Sequence, residues 1–262
     1  MEIKILAKNT VMLSLPKVLK FLFGIIRAKI IAVYLGTGGA GIIVQLQNIL
    51  QNISGFTTPG MPDGMVRQLA SANAKKAPKQ EIVNIIRTYA IMVSVITVIV
   101  YICGVIFAKP ITRYVFGDTK YYNYFRIGFT AFPILILSSS SFAIIKAYKR
   151  IKSLMFAELV ISSVNFVFFV ILIYFFRLTG AVVYVTLSFF WTYIVYRYIA
   201  RQKILKVIGI RFTDIIKAQF DFSHFRELMA FVGATLTGGI YTIFVDITES
   251  FPKFNGFLYF YP

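Results

Sequence analysis

The sequence has few of the residues that enzymes use for catalysis. Its 262 residues include one histidine and one cysteine. His224 alone gives no support for a Ser/His/Asp triad or for a metal site with several histidine ligands. Cys103 has no partner in the chain for a disulfide or a thiolate cluster. A Walker A motif is absent as well. We therefore expect no enzymatic activity, no metal site and no cofactor.

Charge is also scarce. Only 15% of the residues are charged and 58% are hydrophobic, giving a mean hydropathy of +0.76, whereas soluble domains are about 25% charged. Crossing a bilayer takes roughly 20 apolar helical residues. Continuous apolar runs such as residues 91–107 indicate helices rather than the short alternating strands of a barrel. The sequence thus predicts an all-α membrane protein in contact with membrane lipids.

Seven membrane spans are predicted, at residues 11–35, 40–70, 82–108, 124–148, 154–176, 180–198 and 225–247. They group into a six-helix N-terminal lobe over residues 1–200 and an incomplete second part over residues 225–262. Residues 201–224 between them mix basic and apolar side chains. We expect this linker to lie along the membrane interface, although a solvated loop is the alternative. Beyond Asp246 the helical periodicity is lost, which predicts an irregular tail.

The loops alternate in charge. Most of the 28 basic residues lie in the N-terminus, in the second and fourth loops and in the linker. The other loops contain only Lys109, Arg113, Lys120 and Arg177. Because basic loops remain in the cytoplasm, the N-terminus is predicted to be cytoplasmic. The net charge is +18. Because the basic residues mostly flank apolar spans, we expect no nucleic-acid partner.

Basic residues also lie inside the first span, where charge is costly. Lys17, Lys20 and Arg27 fall within about 80° of one another on a helix. One interpretation is a cationic stripe that lines a water-filled or substrate-lined surface. The alternative is that these side chains extend to the lipid headgroups, which Lys17 can do most easily.

The second span carries amides, and we expect Gln45, Asn48 and Asn52 to line a cavity. Hydrogen bonding between helices is an equally good explanation. Acidic residues are rare in the spans, and Glu158 is predicted to pair with a basic residue of another span. A net-positive interior favours an anionic substrate, because lysine and arginine bind phosphate through charge-assisted hydrogen bonds.

The second span is interrupted by prolines and glycines between residues 58 and 64. A regular helix cannot continue through two prolines and two glycines. Interrupted helices of this kind are common where transporters bind or bend. The predicted hinge residues are Pro59, Gly60, Pro62 and Gly64.

Residues 14–43 resemble the start of Wzx-type O-antigen flippases. The resemblance rests on the basic positions of the first span, on Arg27-Ala28-Lys29, on the glycine-rich turn at residues 36–41 and on Gln45-Leu46-Gln47-Asn48. Gly64-Met65-Val66-Arg67 continues it. These flippases belong to the multidrug/oligosaccharidyl-lipid/polysaccharide exporter (MOP) superfamily. The likeness covers roughly the first 80 residues, and drug exporters of the superfamily lack this motif.

The resemblance implies two six-helix bundles joined by a cytoplasmic linker, in the bacterial inner membrane. It implies that undecaprenyl-pyrophosphate-linked O-antigen, or a similar oligosaccharide, is moved across that membrane during lipopolysaccharide or surface polysaccharide biosynthesis. The pyrophosphate would bind Lys20 and Arg27, with Lys17 as a weaker candidate. Polysaccharide polymerase machinery is an implied partner. The chain is shorter than such a two-bundle protein, and we expect it to contain one lobe and the start of the second.

Two alternatives remain open at this point. A cation-coupled drug exporter would need carboxylates within the lobe, and Glu158 and Asp63 are the candidates. Four basic residues in the first span argue against it. The other alternative is a truncated product, inactive alone or paired with a second chain.

Overall fold

The computed structural model describes the backbone of residues 2–255 and the side chains of residues 16–211 and 213–238. Within these residues the chain is mostly helical and has no strand. A short 3₁₀ helix lies at Thr119–Tyr121 and a π-helical turn at Arg201–Leu205. The α-helices are α1 (Glu2–Thr57), α2 (Met61–Ala74), α3 (Lys79–Ile106), α4 (Ala108–Phe116), α5 (Tyr122–Phe129), α6 (Ala131–Ala147), α7 (Ile151–Ala200), α8 (Phe212–Lys217) and α9 (Phe222–Asn255).

The long helix α7 is a hairpin. Arg177 interrupts it with φ 49° and ψ −124°. The rings of Phe169 and Tyr184 lie 5.1 Å apart, whereas 15 residues of straight helix would separate them by roughly 22 Å. The chain therefore reverses at Arg177, and α7 consists of a first arm, residues 151–176, and a second arm, residues 178–200.

The helix α1 also reverses, at Gly36. This glycine has φ 65° and ψ −173°, a conformation that glycine adopts readily because it has no Cβ. Lys20 and Gln51 line the same cavity, which a straight helix of this length would not allow. The predicted turn between the first two spans is thus present, but it is confined to Gly36. Its arms are residues 2–35 and 37–57.

Three helical segments of the described residues are long and apolar enough to cross a membrane: Lys79–Ile106, Thr119–Ala147 and Ile151–Leu205. The last of these reverses at Arg177 and so supplies two crossings. Large apolar side chains along α3, including Val95, Ile99 and Ile106, are exposed. Such exposure suits a surface in contact with lipid.

One part of the core, built from aromatic rings, lies where α5 and α6 meet α3. Phe129 stacks with Tyr101, Phe125 and Phe132 at ring centroid distances of 5.7, 5.3 and 5.5 Å. A Cβ on Gly104 would lie 2.3 Å from the Phe129 ring. Small residues at such contacts let helices approach closely, as is usual in membranes.

Several predicted boundaries differ from the structure. The break in the second span covers only residues 58–60, so Pro62 and Gly64 lie inside α2, because proline fits the first turn of a helix. The predicted fourth span is divided at Thr130 into α5 and α6, and α4 was not predicted. The last helix begins at Phe222 and remains helical to Asn255, where an irregular tail was expected. Residues 256–262 lie outside the described residues.

Candidate functional site

A cavity of about 460 Å³ lies between the first arm of α1 and the two arms of α7. The second arm of α1 and the helix α6 complete its wall. Most of its lining is polar, which is costly in a membrane unless the side chains face water or a ligand. It is lined by Lys20, Phe23, Arg27, Gln51, Ser138, Glu158, Ile161, Ser162, Asn165, Ser188, Phe189, Thr192 and Tyr196.

Glu158, on the first arm of α7, binds side chains from two other walls of the cavity. Its Oε2 atom accepts a hydrogen bond from the Lys20 ammonium, and its Oε1 atom accepts one from the Tyr196 hydroxyl. Lys20 and Glu158 form an ion pair, which confirms the prediction that Glu158 pairs with a basic residue of another span. The pair connects the first arm of α1 to α7.

Arg27 packs against a pair of touching aromatic rings. Its guanidinium carbon lies 5.3 Å from the centroid of the Phe169 ring and 5.5 Å from that of Tyr184. Both contacts are cation–π interactions, which favour a planar guanidinium. The buried Arg27 Nε has no hydrogen-bond partner among the described residues. The orientation of this cation is therefore fixed, while one of its donors is unsatisfied.

Asn165 provides an unsatisfied hydrogen-bond acceptor in the same cavity. It is only 8% exposed, and its Oδ1 atom has no hydrogen-bond partner within the described part of the chain. A buried polar atom without a partner costs about 1–3 kcal/mol. The cavity thus contains an unsatisfied donor on Arg27 and an unsatisfied acceptor on Asn165, and both could be satisfied by a polar ligand.

Hydroxyl groups line the rest of the cavity. Ser138, Ser162, Ser188 and Thr192 each donate to a backbone carbonyl of their own helix at 2.7–3.1 Å. Their oxygen atoms still have lone pairs that can accept hydrogen bonds. A ligand with many hydroxyl donors, such as a sugar, would match these acceptors.

The other predicted binding residues lie outside this lining. Lys17 is exposed, and so are Gln45, Asn48 and Asn52, whereas Gln51 of the same helix lines the cavity. The helical periodicity of the amides was visible in the sequence. The sequence did not show which face of the second arm of α1 meets the cavity, because that depends on the turn at Gly36.

Sequence reasoning missed the two polar rows of α7. Glu158, Ser162 and Asn165 are spaced i, i+4, i+7, and Ser188, Thr192 and Tyr196 are spaced i, i+4, i+8. Each spacing puts three side chains on one helix face. Polar residues at this spacing inside an apolar span were the signal that could have identified both rows.

The four predicted hinge residues lie where α2 contacts α9. Gly60 has φ 64°, and a Cβ there would lie 2.5 Å from Thr235 Oγ1. A Cβ on Gly64 would lie 2.6 Å from Leu228 Cδ1. Pro59 and Pro62 flank Gly60. The glycines therefore let α9 pack closely on the start of α2, and bending at this point remains a prediction.

The model of the polysaccharide biosynthesis protein family matches residues 6–248. The chain belongs to this family. The match extends the resemblance seen in the first 80 residues over nearly the whole sequence. No curated protein matches the chain.

Solved structures share the fold of this polysaccharide biosynthesis protein. A MOP superfamily transporter from Pyrococcus furiosus aligns with a TM-score of 0.68 at 16% identity, over 89% of this chain and 54% of that one. An outward-facing multidrug resistance MATE family transporter of the same superfamily aligns with a TM-score of 0.65 at 16% identity, over the same fractions. The chain spans about half the length of these transporters. It has the multi-pass, all-α fold of the N-terminal lobe of a MOP exporter.

Proposed function

We propose that the chain acts in the flipping of a lipid-linked oligosaccharide diphosphate across the bacterial inner membrane. The expected substrate is undecaprenyl-pyrophosphate-linked O-antigen or a similar unit of lipopolysaccharide or surface polysaccharide biosynthesis. The observation that carries the proposal is the Arg27 guanidinium, which contacts the rings of Phe169 and Tyr184 and has a buried, unsatisfied Nε, in the same cavity as Lys20.

Charge supports a diphosphate ligand. Lys20 and Arg27 contribute two positive charges to the cavity, and Glu158 contributes one negative charge. A diphosphate can bind both cations through charge-assisted hydrogen bonds. The Arg27 donor would then be satisfied, and the Lys20 ammonium would be shared between Glu158 and the ligand.

Hydroxyl acceptors support a sugar beside the diphosphate. The side-chain oxygens of Ser138, Ser162, Ser188 and Thr192 can accept hydrogen bonds from sugar hydroxyls, as can Asn165 Oδ1. The lipid tail would remain in the bilayer. Pro59, Gly60, Pro62 and Gly64 would then serve as the hinge that exposes the cavity to either side in turn. The amides of Gln45, Asn48 and Asn52 would line the path between the leaflets.

Loop charge supports a cytoplasmic N-terminus. The turn after α2 contains Lys75 and Lys76, the turn after α6 contains Lys149 and Arg150, and all four are exposed. In this orientation the linker is cytoplasmic and the diphosphate enters from the side where lipid-linked sugars are assembled. A polysaccharide polymerase on the opposite side is then the expected partner.

A cation-coupled drug exporter is the second candidate, and Glu158 is the observation that favours it. A carboxylate in a membrane cavity can bind a cation. Here, however, Lys20 and Tyr196 already bind both of its oxygen atoms, and Arg27 adds a further positive charge. The balance of charge favours the anionic substrate.

The proposal can be tested by binding of undecaprenyl diphosphate to the full chain in nanodiscs. Trp191, the single tryptophan, precedes Thr192 of the cavity and serves as the fluorescent reporter. Arg27→Ala should weaken binding at least about tenfold, because it removes a charged hydrogen bond worth about 1.5–3 kcal/mol. Lys29→Ala is the matched control, since Lys29 is exposed on the same helix and outside the cavity lining.

Two results would overturn this assignment. The first is equal affinity of the Arg27→Ala variant and the unchanged chain for the diphosphate. The second is tight binding of a cationic drug that Glu158→Gln abolishes, which would favour the exporter. In a flippase-null strain, the gene should restore surface polysaccharide, and the Arg27→Ala form should not.

A further inference from the structure

A second basic cavity lies on the linker between α7 and α9, apart from the site described above. Its volume is about 900 Å³, and it is lined by Arg197, Arg201, Lys206 and Arg211, with Gln202 and Thr213 beside them. Within the described part of the linker, no aspartate or glutamate lines it. Four cationic side chains thus face one space, where their mutual repulsion favours binding of an anion.

The backbone holds these cations in place. The π-helical turn Arg201–Leu205 continues directly from α7. The chain then reverses at Gly209, which has φ 76°. The Ile210 amide donates to the Leu205 carbonyl at 2.8 Å, and the Gly209 amide donates to the Lys206 carbonyl at 3.1 Å. These two bonds form a Schellman motif. Lys206 and Arg211 are therefore held on either side of a defined turn.

Asp214, one of the two acidic residues of the linker, contacts another helix. Asp214 forms an ion pair with Lys79 of α3 at 2.8 Å and accepts a hydrogen bond from the Arg211 backbone amide at 3.0 Å. Leu205, Ile210 and Ile215 are buried beneath the linker. The linker is thus anchored to the lobe by its apolar face and by Asp214.

The linker and the start of α9 also carry exposed apolar side chains. Val207 is 69% exposed and Phe222 is 70% exposed, and Ile216 and Phe220 are exposed as well. The linker joins the ends of two membrane helices, so it lies at the boundary of the bilayer. Apolar side chains beside cations at this depth are typical of a segment that contacts acyl chains and headgroups together.

We propose that this cavity binds the phosphate headgroup of an anionic membrane phospholipid. Arg201, Lys206 and Arg211 would bind the phosphate, and Val207, Ile216, Phe220 and Phe222 would enter the acyl region. A free phosphate ion would use the cations and leave these apolar side chains in water, so the lipid fits the surface better. The site goes beyond the proposed transport function, and only the assignment to the cytoplasmic leaflet rests on the proposed orientation.

The test is native mass spectrometry of the purified full chain with phosphatidylglycerol or phosphatidylcholine. The chain should retain phosphatidylglycerol and release phosphatidylcholine. The triple variant Arg201→Gln, Lys206→Gln, Arg211→Gln should bind phosphatidylglycerol about a hundredfold more weakly, since each basic residue near an anionic surface contributes roughly fivefold. The control triple Lys75→Gln, Arg150→Gln, Lys152→Gln removes the same charge from exposed positions outside the cavity and should bind nearly as the unchanged chain does.

Three results would overturn the proposal: equal losses in the two triple variants, no loss in the first triple, or displacement of the lipid by millimolar inorganic phosphate, which would indicate a site for the free ion. Arg201→Lys with Arg211→Lys keeps the charge and should retain the lipid. If the first triple does not fold, single Arg211→Gln should still show a measurable loss. Binding of undecaprenyl diphosphate should be unchanged in every folded linker variant, which separates this site from the proposed transport site.

Discussion

At the scale of single residues, Glu158 sets the charge of the transport cavity. Its carboxylate accepts hydrogen bonds from Lys20 and Tyr196, and it is the single acidic residue among the lining side chains in the described part of the chain. The carboxylate holds Lys20 in position, but it also repels an incoming diphosphate. The cavity is therefore close to neutral on the Lys20 side, and the anion must compete with Glu158 for the ammonium.

Replacing Glu158 with glutamine tests this balance. Glu158→Gln should tighten binding of undecaprenyl diphosphate about thirtyfold, because it removes a negative charge whose repulsion costs about 2 kcal/mol at a separation of roughly 8 Å in a partly solvated site. The measurement is titration of Trp191 fluorescence in nanodiscs at low and high salt. Glu227→Gln is the control, since Glu227 lies between α2 and α9. Weaker binding in Glu158→Gln would show that the carboxylate chiefly positions Lys20.

At the scale of elements, the α7 hairpin creates the cavity, because its two arms provide two of the walls. Gly180 follows the reversal at Arg177 and packs against the other arm. A Cβ on Gly180 would lie 1.9 Å from the Leu172 carbonyl oxygen and 2.6 Å from the carbonyl carbon. Both are backbone atoms and cannot rotate away, so the arms would have to separate.

Gly180→Ala should therefore destabilise the chain by about 3 kcal/mol, the upper end of the cost of overpacking. Thermal unfolding in detergent, followed by size-exclusion fluorescence, measures the effect. Gly38→Ala is the matched control, because a Cβ on Gly38 has no described atom within 4 Å. Equal melting temperatures for the two variants would contradict the close packing of the arms.

The linker helix α8 is attached to α3 in a pH-dependent way. The Lys79 ammonium, together with the Arg211 backbone amide, holds the pKa of the Asp214 carboxyl below its ordinary value of 3.8. A lowered pKa means that the attachment is fully present above the unfolded value and is lost as the pH falls through the folded value. The linker should therefore be docked at neutral pH and released in acid.

Hydrogen exchange of residues 212–217 tests this attachment. Asp214→Asn should exchange faster than the unchanged chain at neutral pH. The two should converge once the pH is below the lowered pKa of the Asp214 carboxyl, after correction for intrinsic rates. Asp118→Asn is the control, since Asp118 pairs with Lys120 in another loop and its pKa is also lowered. A difference between Asp214→Asn and the unchanged chain that persists at low pH would exclude the ion pair as its cause.

At the scale of the whole molecule, the distribution of charge decides how the chain inserts. The proposed topology puts the turn after α2 in the cytoplasm and the turn after α4 outside. In a Cys103→Ser background, an impermeant maleimide added to spheroplasts should label Lys120→Cys directly. It should label Lys75→Cys only after permeabilisation. Both positions are exposed. The reverse pattern would invert the orientation and move the linker outside.

The sequence also predicted much of the architecture. Long apolar runs predicted the membrane helices, and the glycine-rich stretch predicted the reversal that the structure has at Gly36. These features could be read because hydropathy and backbone freedom are local properties. Hydropathy did not predict α4 or the division at Thr130.

The amino-acid sequence by itself determined the class of the protein, the family resemblance and the cationic character of the first span. Tertiary structure decided which polar side chains meet. It brought Lys20, Arg27 and Gln51 together with Asn165 and the two polar rows of α7, and it left Gln45, Asn48 and Asn52 exposed. The physical reason is that a helix fixes which residues share a face, whereas the neighbour of that face depends on the turns and crossings of the other helices.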